Sequence, residues 1–320
     1  MCRYNTRQQI QMEKIFAMKK IFIDGSAGTT GLRIYERLNS RNDIQLLTLT
    51  EETRKDINAR RDALNNADIA FLCLPDDAAK ESVSLVSNPD TAIIDTSTAH
   101  RVSPEWVYGL PELKGQRDKI SASKRIANPG CHATGFIALI APLVQAGIIA
   151  KDSELSCFSL TGYSGGGKKM IAQYEDSGRD SLLDAPRQYG LTQKHKHLPE
   201  MTQVCGLDVA PIFCPIVAPY YAGMEVTVPL HHVNVQAVKE CYTEYYRGGV
   251  VYFADGSDEG GFISAGKFSG RDDLEISVYG NDERMLLVSR FDNLGKGASG
   301  AAIQNMNIIL GVDEITGLNV

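Results

Sequence analysis

The stretch KKIFIDGSAGTTGLRIYERL, residues 19–38, decides the fold of this chain. Its first six residues form a short, mostly apolar run that is typical of a buried strand. The glycine-rich turn at residues 25–31 then leads into TGLRIYERL, where apolar side chains recur at helical spacing. A strand, a tight turn and a helix in this order form a βα unit, which predicts an α/β domain.

The same alternation continues through the first 130 residues. Further strand candidates are IQLLTLT (44–50), DIAFLCL (68–74) and TAIID (91–95). Helical candidates lie between them, around residues 57–65 and 78–86. Strands that alternate with helices predict a doubly wound parallel sheet.

The pattern changes after about residue 150. The longer alternating runs SELSCFSLTGY (153–163), YYAGMEVTVPL (220–230) and LEISVYG (274–280) predict antiparallel strands in a second domain of α+β type. The last apolar helix, over residues 300–311, is expected to pack back on the first domain. We therefore predict an N-terminal extension at 1–17, a first domain at 18–130 and 300–320, and a second domain at 131–299.

Composition narrows the class of protein. The chain has 320 residues, of which 43% are hydrophobic and 22% charged, as in globular proteins of two domains. A formal charge of −6 provides no basic field for nucleic acid or an anionic membrane. The apolar run at 135–150 is interrupted by Pro142 and is too short to cross a bilayer. Residues 1–17 lack the pattern of a secretory signal.

Seven scattered cysteines argue against a disulfide framework and against a metal site of paired cysteines. We expect reduced thiols and a cytoplasmic location.

The glycine-rich turn is a candidate dinucleotide site. Its spacing is G-x-x-G-x-x-G and departs from the usual G-x-G-x-x-G, so a plain turn between strand and helix is the alternative. In the first βα unit, backbone N–H groups of such a turn meet a pyrophosphate at the helix N-terminus. The expected cofactor-binding residues of the turn are Gly25, Ser26, Gly28, Thr29, Thr30 and Gly31.

The end of the second strand should meet the ribose 2′ position of the cofactor. Arg54 and Lys55 are suited to the 2′-phosphate of NADP, whereas Glu51 or Glu52 would accept a hydrogen bond from the hydroxyl of NAD. A solvated charged turn is the third interpretation. We expect Arg54 and Lys55 to bind NADP.

Cys131 is the candidate nucleophile. It follows Asn-Pro-Gly and begins the apolar stretch HATGFIALIAPLV, which predicts a helix with Cys131 near its N-terminus. The helix dipole and the free N–H groups there favour a thiolate, which acyl transfer requires. A buried structural role is the alternative, and it is the interpretation we favour for the other six cysteines. His132 is expected to point away into helix packing.

The motif HKHLPE, residues 195–200, offers an acid/base for that cysteine. In an extended segment, His195 and His197 would face the same side, with a helix plausible from Pro199. We expect His195 to be the acid/base and His197 to position the substrate or Glu200. A metal site made by the two histidines and Glu200 is the competing interpretation, but no further ligand cluster is evident, so we predict no metal.

The segment GYSGGGKK, residues 162–169, fits G-x-x-x-x-G-K, but it has Lys169 where a phosphate-binding P-loop needs Ser or Thr. It also follows a strand of the second domain. We interpret it as a mobile loop near the substrate, with ATP hydrolysis as an alternative.

The order GSAGTTG, STAHR, NPGC and HKHLPE resembles the short form of the N-acetyl-gamma-glutamyl-phosphate reductase family, which is related to the aspartate-semialdehyde dehydrogenases. The resemblance runs from about Met18 to the C-terminus. It implies a dinucleotide-binding domain, an α+β catalytic and oligomerisation domain, NADPH as reductant and a homo-oligomer.

The resemblance also assigns roles to residues. Cys131 would attack an acyl phosphate, Arg101 would hold the departing inorganic phosphate, and NADPH would reduce the resulting thioester to an aldehyde. Asn128, Tyr163 and Ser164 are then expected near the substrate. Two other readings stay open: a reductase of the aspartate-semialdehyde type, and a nucleotide-binding protein without turnover.

Overall fold

A computed structural model describes residues 18–320. The extension predicted at residues 1–17 lies outside the described residues. The described part contains one sheet of six strands and one of seven.

The six-stranded sheet is parallel throughout, which confirms the predicted class of the first domain. Its strand order is β2-β1-β3-β4-β6-β5. β3 and β4 are buried along their whole length because their two faces pack into two separate apolar cores. The strands are β1 (Lys19–Asp24), β2 (Ile44–Leu47), β3 (Ile69–Leu72), β4 (Ala92–Asp95), β5 (Val107–Tyr108) and β6 (Arg125–Ala127).

Of the helices of this domain, the first three lie close to their predicted positions, and the last was not predicted. The helices are α1 (Thr29–Leu38), α2 (Ile57–Asn66), α3 (Asp76–Ser84) and α4 (Gln116–Ala122). Asp56 caps α2 by accepting a hydrogen bond from the Ala59 N–H. The predicted second strand is shorter than expected and ends at Leu47, since the chain enters a turn closed by a hydrogen bond from the Thr53 N–H to the Thr50 carbonyl.

The turn between β1 and α1 requires its glycines. Gly25 has φ +88°, which residues with a Cβ rarely adopt. A Cβ on Gly31 would lie 2.4 Å from the Gly25 carbonyl oxygen. The two glycines therefore let the turn fold closely against the start of α1.

The seven-stranded sheet is mixed, with order β11-β12-β13-β10-β7-β9-β8. The prediction of antiparallel strands is right for β7–β10, β10–β13 and β12–β13 but wrong for β7–β9 and β11–β12. Each parallel pair is joined by a long crossover, which parallel pairing requires. The strands are β7 (Ser156–Gly162), β8 (Arg187–Gln188), β9 (Ile212–Ala218), β10 (Met224–His231), β11 (Val251–Phe253), β12 (Leu274–Gly280) and β13 (Arg284–Phe291).

Helix α5 (Cys131–Gln145) is the centre of the second domain. It is buried from His132 to Leu143, which explains why its sequence is apolar all round. The other helices here are α6 (Gly167–Glu175), α7 (Leu198–Cys205) and α8 (Val235–Tyr245). Of these, α7 and α8 pack against α5, which carries Cys131 at its first position.

The final helix, α9 (Gly300–Leu310), follows a π-helical turn at Gly295–Ser299. Its side chains Ala302, Ile303 and Met306 pack in the core of the first sheet with Ile21 and Ile94. The chain therefore returns to the first sheet after crossing the second. Within residues 18–320, no helix has the length and apolar character that a membrane span requires.

Candidate active site

A cleft of about 430 Å³ lies where the two domains meet. The first domain contributes Thr30, Thr96 and Arg101, and the second contributes the start of α5, the histidine motif and the turn after β13. The side chains in this cleft that bear chemistry are Arg101, Cys131, His132, Tyr189, His195, Lys196 and His197.

Cys131 is the first residue of α5, directly after the helix-capping Gly130. Burial raises the pKa of the Cys131 thiol above its ordinary value, and Arg101 and the backbone N–H of His132 offset part of that rise. The expectation that the helix N-terminus yields a resting thiolate is therefore wrong for the free protein. A base must take the thiol proton when the sulfur attacks.

The turn after β13 makes room for the cysteine. A Cβ on Gly297 would lie 2.9 Å from the Cys131 Cβ. Sequence reasoning missed this glycine, although the cluster GKGASG (295–300) is a visible signal of a close backbone approach.

His195 and His197 lie side by side, with ring centroids 4.7 Å apart. The motif is a turn and not the expected extended segment, because the Leu198 N–H bonds back to the His195 carbonyl and His197 already has helical angles. Both rings nevertheless line the cleft. Helix α7 begins at Leu198, one residue before the predicted start at Pro199.

The two rings differ in their electrostatic environment. Burial, Lys196 and Arg101 lower the pKa of His195 from its ordinary value. Burial, Arg101 and the neighbouring histidines lower the pKa of His197 much further. Both rings are therefore neutral near pH 7, and His195 is the easier of the two to protonate.

The ring nitrogens of the two histidines also have different partners. His195 Nδ1 accepts a hydrogen bond of 3.3 Å from the His197 N–H, so its neutral ring carries the proton on Nε2. His197 Nδ1 is buried without a hydrogen-bond partner among the described residues.

Glu200 lies behind the cysteine and is buried. Its carboxylate accepts hydrogen bonds from Arg101 Nη1 at 2.8 Å, Tyr108 Oη at 2.8 Å and the Gly130 N–H at 3.2 Å. It also lies 3.9 Å from His197 Nε2. These bonds tie helix α7 to Gly130, the residue before Cys131.

Arg101 has three fixed partners. Its Nε donates to the Asn128 carbonyl, its Nη1 to Glu200 and its Nη2 to the Thr96 carbonyl. The guanidinium has five N–H donors, so two are left beside the cleft.

The other predicted substrate neighbours differ in placement. The Asn128 side chain donates to the Ala298 carbonyl at 3.0 Å and so fixes the turn after β13. The Ser164 hydroxyl accepts from Asn293 at 3.0 Å at the edge of an adjoining pocket. The Tyr163 ring stacks on Tyr174 with centroids 4.7 Å apart, in a separate apolar cluster. Tyr163 is not among the residues that line the cleft.

Sequence reasoning missed a chain of polar side chains beside Cys131. His132 Nδ1 is 2.6 Å from Ser159 Oγ, and its Nε2 is 2.7 Å from Tyr189 Oη. The expectation that His132 points into helix packing is wrong, since its ring lies beside those of His195 and His197. Ser159 and Tyr189 carried no motif signal because only tertiary packing brings them together.

Two further pockets follow the glycine-rich turn. One of about 250 Å³ is lined by Gly25, Ser26, Arg54, Lys55 and Arg60. Arg54 forms an ion pair with Glu51 at the rim, so the two conflicting sequence signals neutralise each other in part. Arg60, which sequence reasoning missed, donates to Asp24 and Ser82.

The second of these pockets, about 590 Å³, adjoins the cysteine cleft and shares Thr30, Thr96, Arg101 and Lys196 with it. Gly28, Thr29 and Lys168 also line it. Thr29 Oγ1 is buried and has no hydrogen-bond partner among the described residues. An unpaired hydroxyl at a helix start beside a lysine fits the phosphates of a dinucleotide.

The segment GYSGGGKK is a 3₁₀ turn (Tyr163–Gly166) followed by α6, so it is helical where a mobile loop was expected. Within residues 18–320, no group of three or more His, Cys, Asp or Glu side chains is arranged to hold a metal ion.

Two family models match the chain. The model for semialdehyde dehydrogenase, NAD binding domain, matches residues 16–123, and that for semialdehyde dehydrogenase, dimerisation domain, matches residues 131–293.

Curated relatives match over nearly the whole chain. The N-acetyl-gamma-glutamyl-phosphate reductase 2 of Nostoc sp. is 44% identical over 318 residues, covering 93% of this chain and 99% of that protein. The N-acetyl-gamma-glutamyl-phosphate reductase of Brucella ovis is 46% identical over 306 residues, covering 91% and 99%.

Among solved structures, aspartate semialdehyde dehydrogenase II of Vibrio cholerae, complexed with ASA, has a TM-score of 0.71 at 14% identity. The match covers 92% of this chain and 98% of that one. At this identity the match shows the fold alone.

Proposed function

This chain belongs to the N-acetyl-gamma-glutamyl-phosphate reductase family, and on that premise we propose that it reduces N-acetyl-gamma-glutamyl phosphate to N-acetylglutamate semialdehyde and inorganic phosphate. This reaction is a step of arginine biosynthesis. The observation that carries the proposal is Cys131 at the start of α5, in one cleft with His195, His197 and Arg101 and next to the glycine-rich turn.

In the proposed reaction, Cys131 Sγ attacks the acyl carbon while a base takes the thiol proton. A C–S bond forms and the C–O bond to phosphate breaks, so phosphate leaves with the electron pair and a thioester remains on Cys131. The N–H groups of the first turn of α5 are suited to stabilise the negative charge on the acyl oxygen.

We assign the departing phosphate to Arg101, supported by Lys196. The two N–H donors that Arg101 has free are sufficient for a two-point contact with phosphate. Lys196 lines both the cysteine cleft and the pocket beside the glycine-rich turn, so its ammonium adds positive charge at their junction. Asn128 and Ser164 would contribute indirectly, because their side chains fix the turn after β13 through Ala298 and Asn293.

We assign the acid/base role to His195, since it is neutral near pH 7 yet easier to protonate than His197. The 3.3 Å contact from the His197 N–H to His195 Nδ1 is long for a hydrogen bond and must yield when the ring takes up a proton. Glu200 holds the helix that presents the histidines and keeps Arg101 in place.

The cofactor is a nicotinamide dinucleotide, and we propose NADP(H). When bound, it would supply the hydride that reduces the thioester to the aldehyde. Thr29, Gly28 and Thr30 would meet its phosphates. Arg54 and Lys55 line the pocket at the end of β2 and would meet the 2′-phosphate. Arg54 pairs with Glu51 in the free protein. The phosphate carries more negative charge than the Glu51 carboxylate, so it would compete well for Arg54.

We also propose that the chain forms a homo-oligomer through the outer face of the seven-stranded sheet. Phe158, Ile212 and Leu286 are exposed large apolar side chains on that face. The strand registers Phe158–Thr227 and Pro229–Leu286 place them on the same side of the sheet. Phe158→Asp should shift the mass measured by light scattering to that of the monomer, and an unchanged mass would contradict this interface.

We further propose that residues 18–130 with 300–320 act as the cofactor domain and 131–299 as the catalytic and oligomerisation domain, since α9 packs on the first sheet. A nucleophilic thiol fits a reducing compartment, which favours the cytoplasm.

Assays with purified protein test the proposal most directly in the oxidative direction, with N-acetylglutamate semialdehyde, NADP and phosphate. Turnover should exceed that with aspartate semialdehyde and should fall by several orders of magnitude in Cys131→Ser. Cys241→Ser is the control, because Cys241 lies on α8 and does not line the cleft. Preference for aspartate semialdehyde, or an active Cys131→Ser, would contradict the proposal.

A further inference from the structure

The proposed reaction leaves one buried polar group next to the nucleophile unused. The His132 ring is 3% exposed and lies between Ser159, on β7, and Tyr189, which lines the cleft. Both of its hydrogen bonds are short, at 2.6 Å to Ser159 Oγ and 2.7 Å to Tyr189 Oη. Burial and, next, the charge of a Cys131 thiolate raise the pKa of Tyr189, so its hydroxyl stays protonated. Tyr189 and Cys131 both line the cleft.

The direction of these two hydrogen bonds follows from the hydrogens available. Burial holds the pKa of His132 at about 3, so the ring is neutral at working pH and carries one proton. Within residues 18–320, Ser159 Oγ forms a hydrogen bond only with His132 Nδ1. If Nδ1 carried the proton, the serine O–H would be a fully buried donor without an acceptor, which is costly. If Ser159 donates to Nδ1, the hydrogens of both Ser159 and His132 have acceptors, and the hydrogen without an acceptor is that of Tyr189, which is only partly buried and lines the cleft.

When Ser159 donates to His132 Nδ1, the position of the remaining ring proton decides where the hydroxyl hydrogen of Tyr189 points. The proton of His132 is then on Nε2 and is donated to the tyrosine oxygen. The hydroxyl hydrogen of Tyr189 must point elsewhere, and the side that remains faces the cleft that contains Cys131. In the reverse arrangement, Tyr189 would donate its hydrogen to His132, and the lone pairs of its oxygen would face the cleft.

We propose that Ser159 and His132 are positioning residues that turn the hydroxyl hydrogen of Tyr189 toward Cys131, where it stabilises negative charge on the sulfur by a hydrogen bond. The benefit for catalysis rests on the proposed function, whereas the hydrogen-bond order itself does not. Because burial disfavours the thiolate, each correctly oriented donor near the sulfur matters for its formation.

The order of the hydrogens can be observed directly in the free protein. Long-range ¹H–¹⁵N spectra with ¹⁵N-labelled histidine report which ring nitrogen of each of the six histidines carries hydrogen. The signals of His132 are identified by their loss in His132→Gln. We expect a hydrogen on Nε2 and none on Nδ1, unchanged between about pH 5 and pH 8. A hydrogen on Nδ1 would overturn the proposal.

The effect on the nucleophile is measured by the pH dependence of Cys131 alkylation with iodoacetamide, followed by mass spectrometry. Ser159→Ala and Tyr189→Phe should each raise the apparent pKa of Cys131 by about 0.5 to 1, which corresponds to one lost hydrogen bond. The double variant should match Tyr189→Phe alone, since Ser159 acts only through that hydroxyl.

Ser277→Ala is the matched control, because Ser277 is also a buried serine of the same sheet but its Oγ has no hydrogen-bond partner within residues 18–320. Its alkylation profile should equal that of the unmodified protein. Additive effects of Ser159→Ala and Tyr189→Phe, or an equal shift in Ser277→Ala, would refute the relay. Neither measurement requires turnover, so failure of the relay is distinguishable from failure of the proposed reductase activity.

Discussion

Gly130→Ala tests whether the side chains packed around Gly130, the residue before Cys131, leave room for one methyl group. Gly130 has φ −81° and ψ 148°, which alanine adopts without strain. A Cβ there would nevertheless lie 2.4 Å from Arg101 Nη1 and 2.6 Å from both Glu200 Oε1 and His197 Nε2. One methyl group therefore pushes against the Arg101 guanidinium, the Glu200 carboxylate and the His197 ring together.

The magnitude follows from these distances. Each of these distances is about 1 Å shorter than an ordinary van der Waals separation. The three contacting side-chain atoms must therefore move away from the new methyl group by about 1 Å. A misplacement of about 1 Å at a catalytic site costs about 10²-fold in rate. The clashing atoms belong to largely buried side chains, of which Arg101 and Glu200 are held by hydrogen bonds, so we expect a loss of stability of about 1–3 kcal/mol, as for overpacking.

The assay combines turnover in the oxidative direction with thermal unfolding and NADP binding. We expect Gly130→Ala to lose about 10²-fold in turnover, to unfold cooperatively a few degrees lower and to bind NADP as before. Gly178→Ala is the control, since the nearest atom to its Cβ is Asp176 Oδ1 at 3.6 Å. Turnover of Gly130→Ala within about threefold of the unmodified protein would refute the reasoning.

Two further predictions concern the cofactor and the histidines. Replacing Arg54 and Lys55 by Ala should raise the KM for NADP much more than that for NAD, because only the 2′-phosphate loses charged partners; equal effects would make them surface residues. His195→Asn should lower turnover by about 10²–10⁴-fold and His197→Asn far less. Since the pKa of His195 is lowered from 6.5, activity should fall as the pH drops through that lower value. His195→Asn should lose this acidic limb of the profile, and its loss in His197→Asn alone would reverse the assignment.

The class of the first domain could be predicted from the sequence because the patterns that indicate its strands and helices are local in the chain. Each strand is a short apolar run, and each helix follows at an ordinary loop distance. The second sheet was harder, since alternating burial shows that a strand has one solvated face but says nothing about its direction. The parallel pairs β7–β9 and β11–β12 depend on crossovers that only the tertiary fold reveals.

At the site, too, the sequence identified residue types but not the environment that tertiary packing gives them. The Cys131 and HKHLPE segments were identified from residue types alone, and the structure brings them into one cleft. The sign of the Cys131 pKa shift was predicted wrongly, because the helix N-terminus is visible in the sequence whereas the burial that outweighs it is not. Tyr189 and Ser159 escaped notice because they meet His132 only through the pairing of distant segments.

Arg101 and Glu200, which form an ion pair, have opposite effects on the pKa of the partly buried Cys131. Burial raises the pKa of the Cys131 thiol most, Arg101 lowers it, and Glu200 raises it again, so the carboxylate cancels part of the effect of Arg101 on the sulfur. The same pair fixes the guanidinium through three hydrogen bonds and leaves two donors for an anion. In the proposed reaction, the charge of Arg101 therefore acts on the departing phosphate more than on the resting sulfur. A protonated resting thiol is less open to oxidation and alkylation, and it makes attack depend on a base that is in place only when the cleft is correctly assembled.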